Sequence, residues 1–276
     1  MRAEQSNNSR PHDAPTRTKR RAPLAPLLRR VRDGLIGLGY PEQCVVCGGD
    51  VESYDDGVAC EHCWLDSTIT KITGRAACHK CGARLYERAV QQELCGSCAA
   101  FPFSAARCCG AYSGALEASI LFLKSHPHIC RRLRGMISRT FSNHRAVLAS
   151  DVVMPVPLHH ERERERGFNQ ARVIAKVLAR DFRMRLDGRS LIRVRNTERH
   201  RVGLDAADRE KSVARAFAVA RPALVEGLSV LLVDDLLTTG STISAASNAL
   251  LEAGALRVSV LTIARVEATA GAGLIE

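Results

Sequence analysis

Four pairs of cysteines, each with two residues between its members, stand in the first half of the chain. They are Cys44 and Cys47, Cys60 and Cys63, Cys78 and Cys81, and Cys95 and Cys98. Twelve residues separate the first two pairs and thirteen separate the last two, so a nearly identical unit occurs twice. Two CxxC turns together supply the tetrahedral four-sulfur shell of a structural Zn2+ site. The sequence therefore predicts two closed zinc sites, whose metal holds the fold together and does no chemistry.

The four pairs could combine in two ways. Sequential pairing makes two separate ribbons and interleaved pairing makes a cross-brace; the internal repeat favours the sequential arrangement. A four-sulfur iron cluster and buried free cysteines are the other interpretations, although free cysteines would not recur at matched intervals. We expect Cys108, Cys109 and Cys130, which lie outside the repeat, to be ordinary small apolar residues.

A second group of candidate residues follows an apolar run late in the chain. Asp234 and Asp235 end the run that starts at Val230, and a loop rich in hydroxyl groups then opens a predicted helix. The loop consists of Thr238, Thr239, Gly240, Ser241 and Thr242. A helix N-terminus offers unpaired amides and a positive dipole end, so a phosphate monoester fits there. The two carboxylates could hold the hydroxyls of a ribose, directly or through Mg2+.

The elements that position these residues differ between the two halves of the 276-residue chain. All 11 cysteines lie between Cys44 and Cys130, whereas the second half alternates apolar strands with helical patterns. That alternation predicts an α/β fold with a parallel sheet flanked by helices. We predict a disordered basic tail over residues 1–22, an amphipathic helix over 23–40, a zinc-binding double ribbon over 41–104 and the α/β domain over 105–276.

The charge of the chain is concentrated near its start. The net charge is +11, of which nine basic and two acidic side chains in residues 1–32 contribute +7. The helix predicted at 23–40 could pack on the protein, or lie on an anionic membrane surface or on nucleic acid. No apolar run is long enough to span a membrane, which excludes an integral membrane protein. The start of the chain lacks the apolar core of a secretory signal, so we expect a reducing cytoplasmic location.

The run of four apolar residues, two acids, two apolar residues and a TG-centred loop resembles the fingerprint of type I phosphoribosyltransferases. Together with the cysteine pairs it is similar to the ComF family, a double zinc ribbon joined to a phosphoribosyltransferase domain, from about Tyr40 to Val266. Further matches are Tyr112 with Ser113 and Gly114, Lys124, Pro155 to Pro157, and the run from Arg166 to Gln170.

The resemblance implies a role for each matched segment. Asp234 and Asp235 would bind the ribose of phosphoribosyl pyrophosphate (PRPP), with Mg2+ as cofactor, and residues 238–242 its 5′-phosphate. The place of the pyrophosphate loop is taken by Val156, Pro157, Leu158, His159 and His160. The basic stretch 195–211 would be a mobile lid, or else a solvated loop. Arg162, Arg164 and Arg166 could reach the diphosphate or form surface ion pairs.

Two functions from different classes follow from the resemblance. The first is a Mg-dependent transfer of phosphoribosyl to an acceptor that the sequence does not identify. The second is a non-catalytic PRPP-binding scaffold that handles incoming single-stranded DNA, with competence proteins as partners and peripheral association with the inner membrane. Scarce aromatic residues speak against a stacking platform for single strands, so DNA affinity would be electrostatic and come largely from the tail.

Departures from the family pattern bear on that choice. His200 or Arg201 and Ser212 stand near positions where the family usually has amide side chains, and Thr238 stands where enzymes acting on 6-oxopurines have a basic Asp. No general base toward a nucleobase is visible, and the catalytic residues and oligomeric state are not predicted.

Overall fold

A five-stranded parallel sheet forms the centre of the protein in a computed structural model, which describes residues 43–67, 77–83, 85, 94–98, 100–195 and 216–266. Its strands are β1 (Ala105–Ala111), β2 (Val152–Pro155), β3 (Arg185–Leu186), β6 (Ser229–Leu237) and β7 (Arg257–Arg265). They lie in the order β1-β7-β6-β2-β3. The parallel α/β fold predicted from the sequence is thus confirmed.

Helices cover both faces of this sheet. They are α1 (Glu61–Ser67), α2 (Gly114–Leu123), α3 (Arg131–Asn143), α4 (Arg145–Leu148), α5 (His160–Arg166), α6 (Gln170–Phe182) and α7 (Ser241–Glu252). Strand β6 is apolar at consecutive positions because each face meets a different core: Val230 and Leu232 join the core under α7, and Leu231 and Val233 the core under α2, α3 and α6. A parallel strand with both faces covered has this composition.

A short antiparallel ribbon stands beside the sheet. Strands β4 (Leu191–Arg193) and β5 (Phe217–Val219) pair with Arg193 opposite Phe217. The basic stretch predicted as a lid connects these two strands, and apart from Arg195 it lies outside the described residues, together with His200, Arg201 and Ser212. The predicted tail at 1–22 and helix at 23–40 are outside them as well.

The cysteine-rich segment packs into both cores. Cys44, Cys63 and Trp64 belong to the core that contains α2 and α3, whereas Cys78, Cys81 and Cys98 belong to the core that contains α7. In addition, Ser67 at the end of α1 accepts a hydrogen bond from the Ala115 amide at the start of α2 (2.8 Å). The described part of the cysteine-rich segment therefore shares its cores with the sheet and helices, despite the change in composition along the sequence.

One strand end differs from the sequence analysis. Strand β6 does not end at Asp235 but continues through Leu237, because Leu236 and Leu237 remain paired with β7. Helix α7 starts at Ser241 and ends at Glu252, and Gly254 takes the left-handed conformation (φ +88°) that suits a glycine after a helix. In the described part of the chain, no helix has the length and apolar character needed to cross a membrane.

Candidate functional site

The two adjacent acids lie at the carboxyl edge of the central strand. Asp234 is in register with Thr262 of β7, and the Val156 amide donates to the carbonyl oxygen of Val233 (2.8 Å) on the other side. The segment 156–160 therefore starts beside the acids. Ligands in open α/β sheets bind beyond the carboxyl ends of the strands, so the fold brings two of the predicted segments to the expected edge.

The acids form a coupled pair. The Asp235 backbone N–H donates to Asp234 Oδ1 at 2.9 Å. Burial, followed by the neighbouring Asp235, raises the pKa of Asp234 well above its ordinary value. Burial also raises the pKa of Asp235, although less, because the positive charges of Lys124 and Arg166 oppose the rise. Such a pair is costly without a ligand, and a cation or hydroxyl donors would relieve the repulsion.

Side chains from four elements surround the pair. Lys124 follows α2, Arg166 ends α5, and Gln170 starts α6 with its Nε2 3.5 Å from Asp235 Oδ2. The charge of Arg193 on β4 acts on Asp234 and counters part of its pKa rise. Lys124 and Gln170 were predicted only as matches to a family pattern, Arg166 also as a residue that could reach the diphosphate, and Arg193 carried no signal in the sequence at all.

The predicted phosphate loop connects β6 to α7. Gly240 precedes the helix with φ +81°, and Thr239 Oγ1 lies 3.1 Å from Ser241 Oγ. Thr238 and Thr239 are exposed, whereas Ser241 and Thr242 are half-buried. The first amides of a 12-residue helix and several hydroxyl groups thus face the same end of the sheet, next to the acids. This is a suitable environment for a phosphate group.

A buried asparagine fixes the segment after β2. Asn169 Nδ2 donates to the carbonyl oxygen of Val156 (2.9 Å), and its Oδ1 caps α6 by accepting from the Arg172 amide.

Further along, His159 is buried and His160 exposed, and with Glu161 they place ligand atoms within 4.8 Å of one another. These three groups could hold a cation at the edge of the site. Arg166 is the one of the three alternating arginines that acts on Asp235.

The cysteines form two groups of four thiols. One contains Cys44, Cys47, Cys60 and Cys63, the other Cys78, Cys81, Cys95 and Cys98, and within each group all sulfur atoms lie within 4.8 Å of one another. The sequential arrangement favoured from the repeat is the one observed. Among the described residues, Cys108, Cys109 and Cys130 belong to neither group.

The first thiol of each group is suited to bind zinc as a thiolate. At Cys44 and Cys78, burial raises the thiol pKa, but hydrogen bonds from backbone N–H groups outweigh it and lower each pKa to about 6. The first cysteine of each group is therefore readily ionised at neutral pH. Four sulfur ligands leave no open position on a tetrahedral zinc, so both groups fit structural sites.

Two protein families match the chain in the same order as these features. The double zinc ribbon domain matches residues 35–99, and the phosphoribosyl transferase domain matches residues 166–272. The chain is also similar to glutamine phosphoribosylpyrophosphate (PRPP) amidotransferase from B. subtilis, complexed with ADP and GMP, at 23% identity and a TM-score of 0.33 over 54% of this chain and 26% of that one. A TM-score at this level adds nothing to the assignment of the fold.

Similar whole proteins have competence or DNA utilization in their names. Competence protein ComFC of Bacillus subtilis (strain 168) is 36% identical over 115 residues, which cover 41% of this chain and 44% of that protein. DNA utilization protein YhgH of Escherichia coli (strain K12) is 34% identical over 42% of this chain and 49% of that protein. Competence protein F of Haemophilus influenzae (strain ATCC 51907 / DSM 11121 / KW20 / Rd) is 35% identical over 42% and 50%.

The matches thus span about half the length of these relatives. The two family matches agree with the structure. It has two cysteine groups and a parallel sheet with two acids and a threonine-glycine loop at its carboxyl edge. The two domain matches and the similarity to the competence proteins together support assignment of the chain to the ComF family, in which a double zinc ribbon is joined to a phosphoribosyltransferase domain.

Proposed function

We propose that the protein binds Mg-PRPP at the carboxyl edge of the sheet. Asp234 and Asp235 bind the ribose hydroxyls, residues 238–242 bind the 5′-phosphate, and residues 156–160 lie beside the diphosphate. One observation carries this proposal: a coupled, half-buried acid pair stands between a segment held by Asn169 and the N-terminus of α7. In a purely structural role, the repulsion between the acids would be compensated only in part, by the charges of Lys124, Arg166 and Arg193.

The residues present also fit a magnesium ion. Carboxylate oxygen atoms are the ligands that Mg2+ prefers, and in sites for phosphorylated substrates the ion usually has one or two carboxylates together with phosphate oxygens. When bound, Mg2+ supplies positive charge that neutralises the diphosphate. Asp234 and Asp235 would hold the substrate and the ion in a fixed orientation, and the charges of Lys124 and Arg166 lower the pKa of Asp235 against the effect of its burial.

The reaction that such a site supports is displacement at C1 of the ribose. The bond between C1 and the pyrophosphate oxygen breaks, pyrophosphate leaves with the electron pair, and a nucleophilic atom of the acceptor forms the new bond to C1. Positive side chains around the site stabilise the departing charge. Arg166 is half-buried and lies at the end of α5, the helix that directly follows segment 156–160, where it serves this role.

A second function is favoured by Thr238. The residue is exposed and has no ionisable group, so the loop position that carries a base in enzymes for 6-oxopurines carries none here. A PRPP-binding protein without turnover, acting in the handling of incoming DNA, is consistent with that feature. The names of the ComFC, competence protein F and YhgH relatives support a link to competence and DNA use in either case.

Pyrophosphate release separates these two functions. The zinc-loaded protein would be incubated with Mg-PRPP alone and with nucleobases, nucleosides and single-stranded oligonucleotides as acceptors. An enzyme releases one pyrophosphate per acceptor modified, and a binding protein releases none although Mg-PRPP still raises its thermal midpoint. If Mg-PRPP neither reacts nor stabilises the protein, the proposed function is wrong.

A further inference from the structure

The aromatic ring of Phe101 lies directly against the phosphate loop. A Cβ atom placed on Gly240 would be 2.8 Å from Cζ of Phe101 and 3.1 Å from Cε1. The ring therefore occupies the space where a side chain at position 240 would stand. Because Gly240 also has φ +81°, the loop conformation and the contact with Phe101 both require glycine at this position.

The cysteine group formed by Cys78, Cys81, Cys95 and Cys98 holds the backbone of Phe101 in place, at its amide and at its carbonyl group. The Phe101 amide donates to the carbonyl oxygen of Cys98 (3.2 Å), and its own carbonyl oxygen accepts from Lys80 Nζ at 2.6 Å. Lys80 lies between Cys78 and Cys81. Phe101 is thus attached to both CxxC turns of this group, and the ring of Phe103 supports it at a centroid distance of 5.1 Å.

The residues that flank the loop pack against the same cysteine group. Leu237, which precedes the loop, and Ile243, which follows it, belong to one buried cluster with Cys78, Cys81 and Cys98. The residue after β7 also holds the start of the loop, since the Val266 amide donates a hydrogen bond to the Leu237 carbonyl oxygen (2.9 Å). Residues 238–242 are therefore supported in the middle by the ring of Phe101, and at both ends by the buried cluster that contains the cysteines.

We propose that Phe101 is a positioning residue of the phosphate loop, and that the cysteine group of Cys78, Cys81, Cys95 and Cys98 holds it there. The ring restricts the loop around Gly240, so that the first amides of α7 are already oriented for a phosphate group before it binds. Preorganised donors bind more tightly because less ordering is needed on binding. The consequence for PRPP affinity rests on the proposed function, whereas the consequence for loop order does not.

Phe101→Ala tests this role, with Phe182→Ala as a matched control. Phe182 is also half-buried in an aromatic pair, but its partner is Phe141 in the other core. Amide hydrogen exchange over residues 239–244 is measured without ligand, and Mg-PRPP affinity by calorimetry. We expect Phe101→Ala to speed exchange in the loop about tenfold and to weaken binding about tenfold. Phe182→Ala should leave both at the parent values.

Two further measurements keep the outcome clear. Metal analysis should show that Phe101→Ala retains the parent's zinc, and Phe101→Leu, which keeps most of the apolar volume, should restore part of the protection in the loop. Unchanged loop exchange in Phe101→Ala, or an equal increase in Phe182→Ala, would overturn the positioning role. Faster loop exchange in Phe101→Ala alone, in a protein whose parent does not bind Mg-PRPP, would uphold the positioning role and refute the proposed function.

Discussion

The guanidinium of Arg265, at the carboxyl end of β7, donates a hydrogen bond to the carbonyl oxygen of Cys81 at 2.7 Å, with the Cys81 sulfur 3.6 Å away. Arg107 on β1 makes similar bonds to the carbonyl oxygens of His79 and Lys80. The second CxxC region is therefore bound to two neighbouring strands of the sheet. This attachment changes what loss of the metal should do to the rest of the protein.

Removal of zinc should destabilise the whole folded unit. Metal analysis should give two zinc ions per chain, since the described cysteines form two groups of four. The change Cys78→Ser should lower the thermal midpoint of the sheet as well as of the ribbon, because Cys78 shares a buried core with α7 and β6. An α/β domain with an independent core would instead survive such a loss.

Calorimetry distinguishes these expectations. A single transition that moves to lower temperature in Cys78→Ser would agree with the shared core. Two separate transitions, of which the one for the sheet stays at the parent temperature, would show that the ribbon and sheet unfold independently. Iron in the purified protein, or less than one zinc per chain, would contradict the assignment of the metal.

Two adjacent arginines on α3 should contribute very differently to stability. Arg132 Nε is 2.7 Å from Asp56, whose side chain is 8% exposed, while Arg131 reaches Asp55 at 3.7 Å and is itself 59% exposed. Removing Arg132 leaves a buried carboxylate without its cation, so Arg132→Ala should cost about 1–3 kcal/mol. Arg131→Ala should cost roughly 0–1 kcal/mol, as exposed pairs do.

Urea denaturation of both variants measures this difference. Because the substitutions are identical and neighbouring, loss of helix propensity or of net charge affects both proteins alike. Equal destabilisation would mean that the contact between α3 and the segment before α1 contributes little to the stability of the fold.

The pH dependence of stability should have opposite signs at two aspartates. Because the pKa of Asp234 is raised in the folded state, the folded protein loses stability as the pH rises above the ordinary pKa of an aspartate. Asp234→Asn should therefore raise the thermal midpoint at neutral pH and have little effect near pH 4. At Asp181, the Arg134 guanidinium first and the Ser138 hydroxyl next lower the pKa, against burial, so its stabilising effect is present at neutral pH and lost on acidification.

Thermal midpoints between pH 4 and pH 8 check both signs. Asp181→Asn, the control with the same chemical change, should lower the midpoint at pH 7, and most of the difference should persist to pH 4, because it is lost only as the pH falls through the lowered pKa of Asp181 in the folded state. A lowered midpoint for Asp234→Asn at pH 7 would show that Asp234 stabilises the fold without ligand, against the site proposed for it.

The sequence predicted the parts of the site whose chemistry is local. Asp234, Asp235 and the hydroxyl-rich loop lie within nine residues, and the cysteine pairs repeat at nearly fixed intervals, so residue type and spacing were sufficient. The strand end was wrong because pairing with β7 carries β6 past two charged residues. The polarity of residues along the chain does not reveal that pairing with a distant strand extends β6.

Contacts between distant segments could not be predicted in this way. Phe101 meets Gly240 across 139 positions of sequence, and Arg193 acts on Asp234 from a separate ribbon. Neither residue stands in a motif, and their positions follow only from how the ribbon and strands pack. Lys124, Arg166 and Gln170 were visible as matches to a family, but their convergence on Asp235 is a property of the fold.

The binding of Mg-PRPP to the two acids is tested most directly by titration calorimetry of the zinc-loaded protein. The parent, the double variant Asp234→Asn with Asp235→Asn, and Asp151→Asn would be compared at pH 8. Asp151 is an exposed acid at the other end of the sheet, where it accepts a hydrogen bond from the Ser229 amide. We expect one Mg-PRPP per parent chain, affinity weakened at least about 100-fold in the double variant, and parent affinity in Asp151→Asn. Equal affinity of the parent and the double variant would contradict the account.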